Sequence, residues 1–290
     1  MKPYQPNLKI REIKIGNMKA GGDTSYPFMK ENENSAKALV ALEIPYVIDS
    51  AYPAVLKEFY GDCDFEGRLK KVSEIEADLV SVKFNIERID EEEIKNAVQT
   101  AEKLIKKPLI LRGANNTKTD KELVPLLAKS AARPSIIAFG EEETYESIIP
   151  AVIQGNHILS LRSPIDINLA KELNILSVDM GLPGDRILID PDTGGLGYGL
   201  EYGYSIIERI KQAAFEGDKM LNMPIIVFIG EETYRAKEAK NANYPEAWGD
   251  YETRAQLWES AAAAAMISAG TNIIVLWHPE NVNVIRELVK

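Results

Sequence analysis

The chain carries one cysteine, Cys63, and two histidines, His157 and His278, in 290 residues. A single cysteine excludes an intrachain disulfide and any iron–sulfur cluster held by this chain alone. Two histidines so far apart in sequence supply a zinc site poorly. Bases are also scarce: 34 Lys and Arg stand against 44 Asp and Glu, a net charge of −10. That balance argues against a general binder of nucleic acid or of an anionic membrane, because either would meet repulsion at long range. No apolar run approaches a membrane span, and the start, Met1-Lys-Pro-Tyr-Gln-Pro6, lacks a signal-peptide core. A cytoplasmic protein is the expectation. What is present, 45% hydrophobic and 27% charged residues, is a globular composition long enough to bury a sizeable core.

The pattern along the chain is a rhythm. Residues 8–15 read as a strand closed by Gly16 and the Gly21-Gly22 turn, and 17–34 is polar and turn-rich. Residues 1–36 are therefore expected to form a hairpin and arm that plugs or caps one end of the body. From residue 37 to 290, apolar runs of strand length alternate with helix-period segments, the pattern of parallel βαβ units. The runs fall at 38–44, 78–84, 108–111, 135–139, 157–161, 186–189, 224–229 and 273–276. Helices are expected near 66–75, 90–105, 120–131, 143–154, after Pro164, through Ile206 to Phe215, at 254–268 and at 281–288. The stretch Ile175-Leu-Ser-Val178 could be a ninth strand. Read with Ile167, Leu169, Ala170, Leu173, Leu176 and Met180, it is the far end of one helix closed by Gly181. Eight units make a (β/α)8 TIM barrel in one domain, with a doubly wound open sheet as the alternative.

Charged and amide residues collect at the carboxyl ends of these strands, where barrels place their chemistry: Glu43, Lys83, Asn85, Arg112, Asn115, Asn116, Arg162, Asp190, Glu231 and Glu232. Two readings stand, a working mouth or an internal salt-bridge layer closing the barrel top. A desolvated Lys83 could serve as a Schiff-base lysine, and a pair such as Glu43 and Asp190 could do acid–base work. His278, in Trp277-His278-Pro279, stands at the same rim or caps the following helix. His157 opens a strand at the opposite end and reads as structural.

The stretch Asp185-Arg-Ile-Leu-Ile-Asp190-Pro-Asp-Thr-Gly-Gly195-Leu-Gly-Tyr-Gly199 reads as a buried strand ending in an acid, then a glycine-rich loop entering a helix. Its glycine spacing is not that of a dinucleotide fingerprint. It is either a tight βα loop or a surface laid against a flat or carbonyl-rich ligand. Residues 231–251 form an unusually long connection with Tyr234, Arg235, Lys237, Tyr244, Trp248 and Tyr251, either a surface excursion or a lid and interface.

These two stretches, with Glu232-Thr-Tyr-Arg-Ala-Lys-Glu238 and the Trp248 region, resemble the small subunit of the corrinoid iron–sulfur protein. That family is also called the delta subunit of the carbon monoxide dehydrogenase/acetyl-CoA synthase complex. The resemblance runs from about Ile13 to the C-terminus. It implies a barrel of the pterin-methyltransferase type, an accessory subunit without catalytic residues of its own, and no cofactor bound by this chain alone. A large partner subunit would carry the corrinoid (cobalamin) and the 4Fe–4S cluster. The heterodimer would pass a methyl group from methyl-tetrahydropterin, delivered by a methyltransferase, to acetyl-CoA synthase. On this resemblance Asp192, Thr193, Gly194, Gly195 and Tyr198 are expected to face the corrinoid, with Asp190 orienting the loop. Tyr234, Arg235, Lys237 and Trp248 are expected at the lid or subunit contact. The competing reading is a stand-alone methyltransferase in which Asn85, Asn116 and Asp190 pair with a pterin edge.

Overall fold

Alternation of apolar side chains along short runs produces strands, and the amphipathic segments between them cover the strands from outside. A computed structural model describes residues 6–29, 37–50, 52–193, 199–240 and 243–289. The chain begins with an antiparallel hairpin, β1 (Ile13–Ile15) and β2 (Met18–Ala20). There follow β3 (Leu39–Pro45), α1 (Ala54–Tyr60), α2 (Phe65–Ser73), β4 (Leu79–Lys83), α3 (Glu91–Leu104) and β5 (Leu109–Arg112). Next come α4 (Thr117–Ser130), β6 (Ile136–Gly140), α5 (Tyr145–Gln154), β7 (Ile158–Arg162), α6 (Ile167–Asp179), β8 (Ile187–Asp190) and α7 (Leu200–Glu216). The last third holds β9 (Ile226–Val227), α8 (Ile229–Arg235), α9 (Lys237–Lys240), α10 (Tyr251–Ala269), β10 (Ile273–Leu276) and α11 (Pro279–Leu288).

The parallel sheet runs β8-β7-β6-β5-β4-β3-β10-β9, and a single bridge, Ile189 to Ile225, joins its two edges. The result is a nearly closed (β/α)8 barrel. Side-chain oxygens cap several of its helices: Asp90 accepts from the N–H of Glu92 and Glu93, and Asp166 from those of Asn168 and Leu169. Residues 175–178 lie inside α6, so no ninth strand forms there.

The hairpin closes the amino-terminal end of the barrel. Ile13, Ile15 and Ala20 pack with Leu79, Ile136, Ile158 and Ile273, the residues near the starts of the strands. A buried polar clasp holds the arm in place. Asp23 pairs with Lys211 at 3.3 Å and accepts from Asn272 Nδ2 at 2.6 Å. The first strand is shorter than its sequence suggests, because Asn7, Ile10 and Arg11 give their N–H groups to Phe215, Asp23 and Asn222 instead.

Two further elements depart from expectation. The seventh barrel strand pairs over only two residues, since the chain turns into α8 at Ile229. Gly230 permits that turn, because a Cβ there would lie 2.6 Å from the backbone nitrogen of Trp277. The long connection at 231–251 is mostly helical: α8, α9 and a 3-10 turn at Glu246–Trp248. No described helix is long and apolar enough to cross a membrane.

Candidate functional site at the barrel mouth

Inward-facing positions recur every two residues along a strand. On β3 they run from Ala41 to Glu43, on β4 from Leu79 through Ser81 to Lys83, and on β5 from Ile110 to Arg112. On β7 they end in Arg162, on β8 in Asp190, and beyond β10 in Trp277. The carboxyl end of the barrel is therefore filled by charge where the other end is filled by hydrocarbon.

Arg112 is the centre of this layer and is fully buried. Its guanidinium donates to Glu43 Oε1 at 2.5 Å and to Glu231 Oε2 of α8. Phe139 and Phe228 flank it, with ring centroids 4.8 and 4.9 Å from Cζ. Glu43 also accepts from Ser81 Oγ at 2.7 Å and from Trp277 Nε1 at 2.8 Å. Glu231 takes Lys83 at 3.0 Å and Arg235 at 2.7 Å, and Arg235 reaches Glu232 at 2.7 Å. A second cluster forms on Arg162, which donates to Asp190 at 3.1 Å and to Asn115 at 2.7 Å and lies 3.7 Å from Glu141. Its guanidinium stacks 3.3 Å from the Phe139 centroid, so one ring separates the two arginines.

Burial raises the proton affinity of Glu231, but the charges of Arg112, Lys83 and Arg235 outweigh it and hold the carboxyl well below its usual range. Lys83 moves down, because burial and the neighbouring Arg112 outweigh its acidic partners. Asp190 is pushed up to about 6 by burial, which Arg162 only partly offsets. Behind the mouth, Glu259 of α10 is fully buried and accepts from the N–H of Trp277 at 2.6 Å and from Asn281 Nδ2 at 2.7 Å. Burial lifts its pKa to about 7 against the pull of those bonds. Beside Trp277 a crevice of about 130 Å³ opens between Glu43, Asp49, Tyr52, Lys83 and Asn85.

Residues 12–288 match the family model described as the CO dehydrogenase/acetyl-CoA synthase delta subunit. The chain belongs to this family. Its relatives include the acetyl-CoA decarbonylase/synthase complex subunit delta of Methanopyrus kandleri, 27% identical over 281 residues, covering 93% of this chain and 69% of that one. The subunit delta of Methanocaldococcus jannaschii is 27% identical over 301 residues, covering 100% of this chain and 72% of that one. Among solved structures, dihydropteroate synthase of Yersinia pestis aligns with a TM-score of 0.59 at 12% identity, covering 96% of this chain and 99% of that one. The Xanthomonas albilineans dihydropteroate synthase aligns at 0.58 and 12%, covering 98% of each. At such identity the likeness is one of fold.

The residues singled out by sequence fall into distinct places. Glu43, Lys83, Arg112, Asn115, Arg162, Asp190, Glu231 and Glu232 all join the two ionic clusters. Glu43 and Asp190 belong to different clusters, each neutralised by its own arginine. Lys83 is held by Glu231, with Trp277's ring 5.6 Å from its Nζ. Asn85 bonds the backbone of Val47 through both ends of its amide, and Asn116 caps α4. His278 caps α11 through Nδ1, and His157 is a buried link between Ser135 and Ala128.

In the loop after β8, Asp192 is half-buried, with φ of 41° and its N–H given to Asp190. Thr193 is buried against Gly203 of α7, where a Cβ would sit 3.0 Å from it. Gly194, Gly195 and Tyr198 lie outside the described residues. Tyr234 faces inward: it is 4% exposed and stacks on Trp277 at 5.9 Å, so its side chain is not on an outer surface. Arg235, Lys237 and Trp248 are exposed.

Sequence reasoning missed Ser81, Phe139, Glu141, Phe228, Glu259 and Trp277. Ser81 and Trp277 were in reach of the two-residue count. Phe139 was not, because a register shift between Ala138 and Gly140 breaks the alternation there and turns its ring inward. Among the described residues, no group of three or more His, Cys, Asp or Glu could hold a metal ion.

Proposed function

We propose that this chain pairs with a large subunit carrying a corrinoid and a 4Fe–4S cluster and covers the corrinoid during methyl transfer. The methyl group would come from methyl-tetrahydropterin through a methyltransferase and leave to acetyl-CoA synthase. The family supplies the setting, since the relatives are delta subunits of an acetyl-CoA decarbonylase/synthase complex. The observation that carries the reading is the ionic layer itself. Arg112, Lys83 and Arg162 are each tied to carboxylates of this chain, so the barrel's carboxyl end serves as a rigid surface.

When the partner supplies it, the corrinoid offers a cobalt that takes up and gives up the methyl group. This chain's share is to exclude water and oxidants and to hydrogen-bond the ring's amide arms. The loop after β8 suits that task in part. Asp192 is half-exposed with a polar carboxylate, Asp190 anchors the loop through Arg162, and Thr193 stiffens it from beneath. Gly194, Gly195 and Tyr198 complete the proposed corrinoid-facing set, and Arg235, Lys237 and Trp248 the proposed subunit contacts.

Co-expression with the cobalt-bearing large subunit, followed by size-exclusion chromatography at protein and corrin wavelengths, tests this. A one-to-one peak carrying corrin absorbance is expected, weakened by Tyr198→Ala. Separate elution, with this chain alone binding methyl-tetrahydropterin, would replace the reading with a stand-alone methyltransferase.

A further inference from the structure

Alternation along β1 buries Ile13 and Ile15 in the plug at the amino-terminal end of the barrel and leaves Lys14 exposed between them. The residue directly opposite Lys14 in the hairpin is Lys19, also exposed. Like charges facing each other across an antiparallel pair weaken it. Lys19 is relieved by Glu12, 2.8 Å away. Lys14 has no hydrogen-bond or ion-pair partner among the described residues. It lines a cleft of about 530 Å³ together with Lys106 and Arg133.

These three cations come from three places: the hairpin, the loop between α3 and β5, and the loop between α4 and β6. Gly16, Asn17, Pro108 and Pro134 are the other lining residues, so the described wall contains no acid. Arg133 is held in place, because its Nη2 donates to the carbonyls of Ile105 at 2.5 Å and Lys107 at 3.2 Å. No described residue accepts from its Nη1. Lys106 uses one N–H on the carbonyl of Lys103 at 2.8 Å. The neighbouring charges are engaged elsewhere. Glu102 accepts from the N–H of Ala132 at 3.1 Å and of Arg133 at 3.0 Å, and stays 3.9 Å from Arg133 Nε. Lys107 donates to the carbonyl of Ile75. Glu12 and Asp185 line the adjoining cleft, where Arg186 accompanies them.

We infer that the cleft of Lys14, Lys106 and Arg133 binds a polyphosphate anion, either free or as the phosphate chain of a nucleotide. Charges of one sign in a concave wall focus the potential there, whatever the net charge of the chain. A guanidinium and two ammonium groups are donors suited to phosphate oxygens. The cleft has the size of a small-molecule site, and the rings of Pro108 and Pro134 give it apolar surface beside the cations. A bound anion would also relieve the unbalanced Lys14. In a chain of net charge −10, an anion must be held by such local contacts, because the rest of the molecule repels it. The inference goes beyond the corrinoid reading: Pro108 and Pro134 precede β5 and β6, so the cleft lies at the end of the barrel away from the mouth.

The test is calorimetric titration of the whole chain, at fixed ionic strength, with pyrophosphate, ADP and sulfate. Saturable binding of one pyrophosphate or one ADP per chain is expected, with sulfate much weaker. Binding of both identifies the phosphates as the determinant, and binding of ADP alone adds a contact to the base. Lys14→Glu and Lys106→Glu should each weaken binding by about tenfold or more. Lys118→Glu, the same charge change at an exposed residue of α4 near the mouth, should leave it unchanged. All three lysines are exposed, so the variants should melt like the parent, and melting curves check this. Absence of saturation, an equal response to sulfate, indifference to Lys14→Glu and Lys106→Glu, or an equal loss in Lys118→Glu would overturn the inference. So would a glutamate-rich peptide that saturates the chain where pyrophosphate and ADP do not, because the face would then dock an acidic protein.

Discussion

Arg112 and Glu43 meet at 2.5 Å with both side chains out of solvent, 69 positions apart in the chain. Neither could remain charged there alone, because an unpaired buried ion costs several kcal/mol. Removing the arginine leaves buried Glu43 without a counter-charge and Glu231 with only Lys83 and Arg235. Arg112→Leu should therefore lower unfolding stability by about 3–5 kcal/mol, read from urea denaturation. A loss near zero would mean that the layer is hydrated and loosely paired.

The same layer sets the acid limb of stability. Glu231 binds protons more weakly folded than unfolded, so its contribution is present above the ordinary carboxylate range of about 4.3. It is lost as pH falls toward the depressed folded value. Parent protein should lose stability steeply below about pH 4.3 through this group. Arg112→Leu should flatten that limb, because the strongest charge holding Glu231 ionised is gone. Denaturation midpoints across pH 3 to 6 would decide it.

Glu259 and Asp190 act with the opposite sign. Their folded pKa values, about 7 and about 6, lie above the unfolded ones. Each favours the folded state fully below its unfolded pKa and loses that contribution as pH rises through its folded pKa. For Glu259 the window runs from the ordinary carboxylate range to about 7, and the effect is on the order of 3 kcal/mol. Stability should decline between about pH 4.5 and 7 in the parent and decline less in Glu259→Gln. Parallel curves for the two proteins would remove Glu259 from the explanation.

Gly230 tests the join between α8 and β10. A Cβ there meets Trp277 at its backbone nitrogen, 2.6 Å away, and at its ring. Gly230→Ala should cost about 1–3 kcal/mol by overpacking and shift the Trp277 emission. The backbone must move, since the obstructing atom is not a flexible side chain.

At the other end, Asp23 is the buried counter-charge of Lys211, which is itself fully buried. Asp23→Ala should destabilise by about 3–5 kcal/mol and raise hydrogen exchange in β1 and β2. Lys211→Met combined with Asp23→Leu should recover much of that loss, because no charge is left unpaired. A double variant as unstable as Asp23→Ala would point to the Asn272 bond as the stronger tie.

Much of the fold was legible because strand and helix periods are local. The runs at 78–84, 135–139 and 157–161 announce β4, β6 and β7 within a residue or two, and the 3.6-residue pattern through Met180 identifies one helix, α6. The charged strand ends were legible for the same reason, since counting by twos puts Glu43, Arg112 and Arg162 on one face. The seventh strand was not. Pro224 to Ile229 reads as a full strand, yet the chain bends into α8 after Val227, where Gly230 meets a tryptophan 47 positions away.

By itself, then, the sequence determined the eight βα units, the single helix that runs through residues 175–178, and the end of the barrel where charge collects. Local backbone preference and side-chain period suffice for those. Only the tertiary structure decided that Arg112 joins Glu43 to Glu231, that Arg162 takes Asp190, and that Tyr234 turns inward onto Trp277. It also decided that Lys14, Lys106 and Arg133 share one cleft. Such pairings depend on closing the barrel, which sets residues tens of positions apart at contact distance. The energy of a buried charge is defined only once its neighbours are in place.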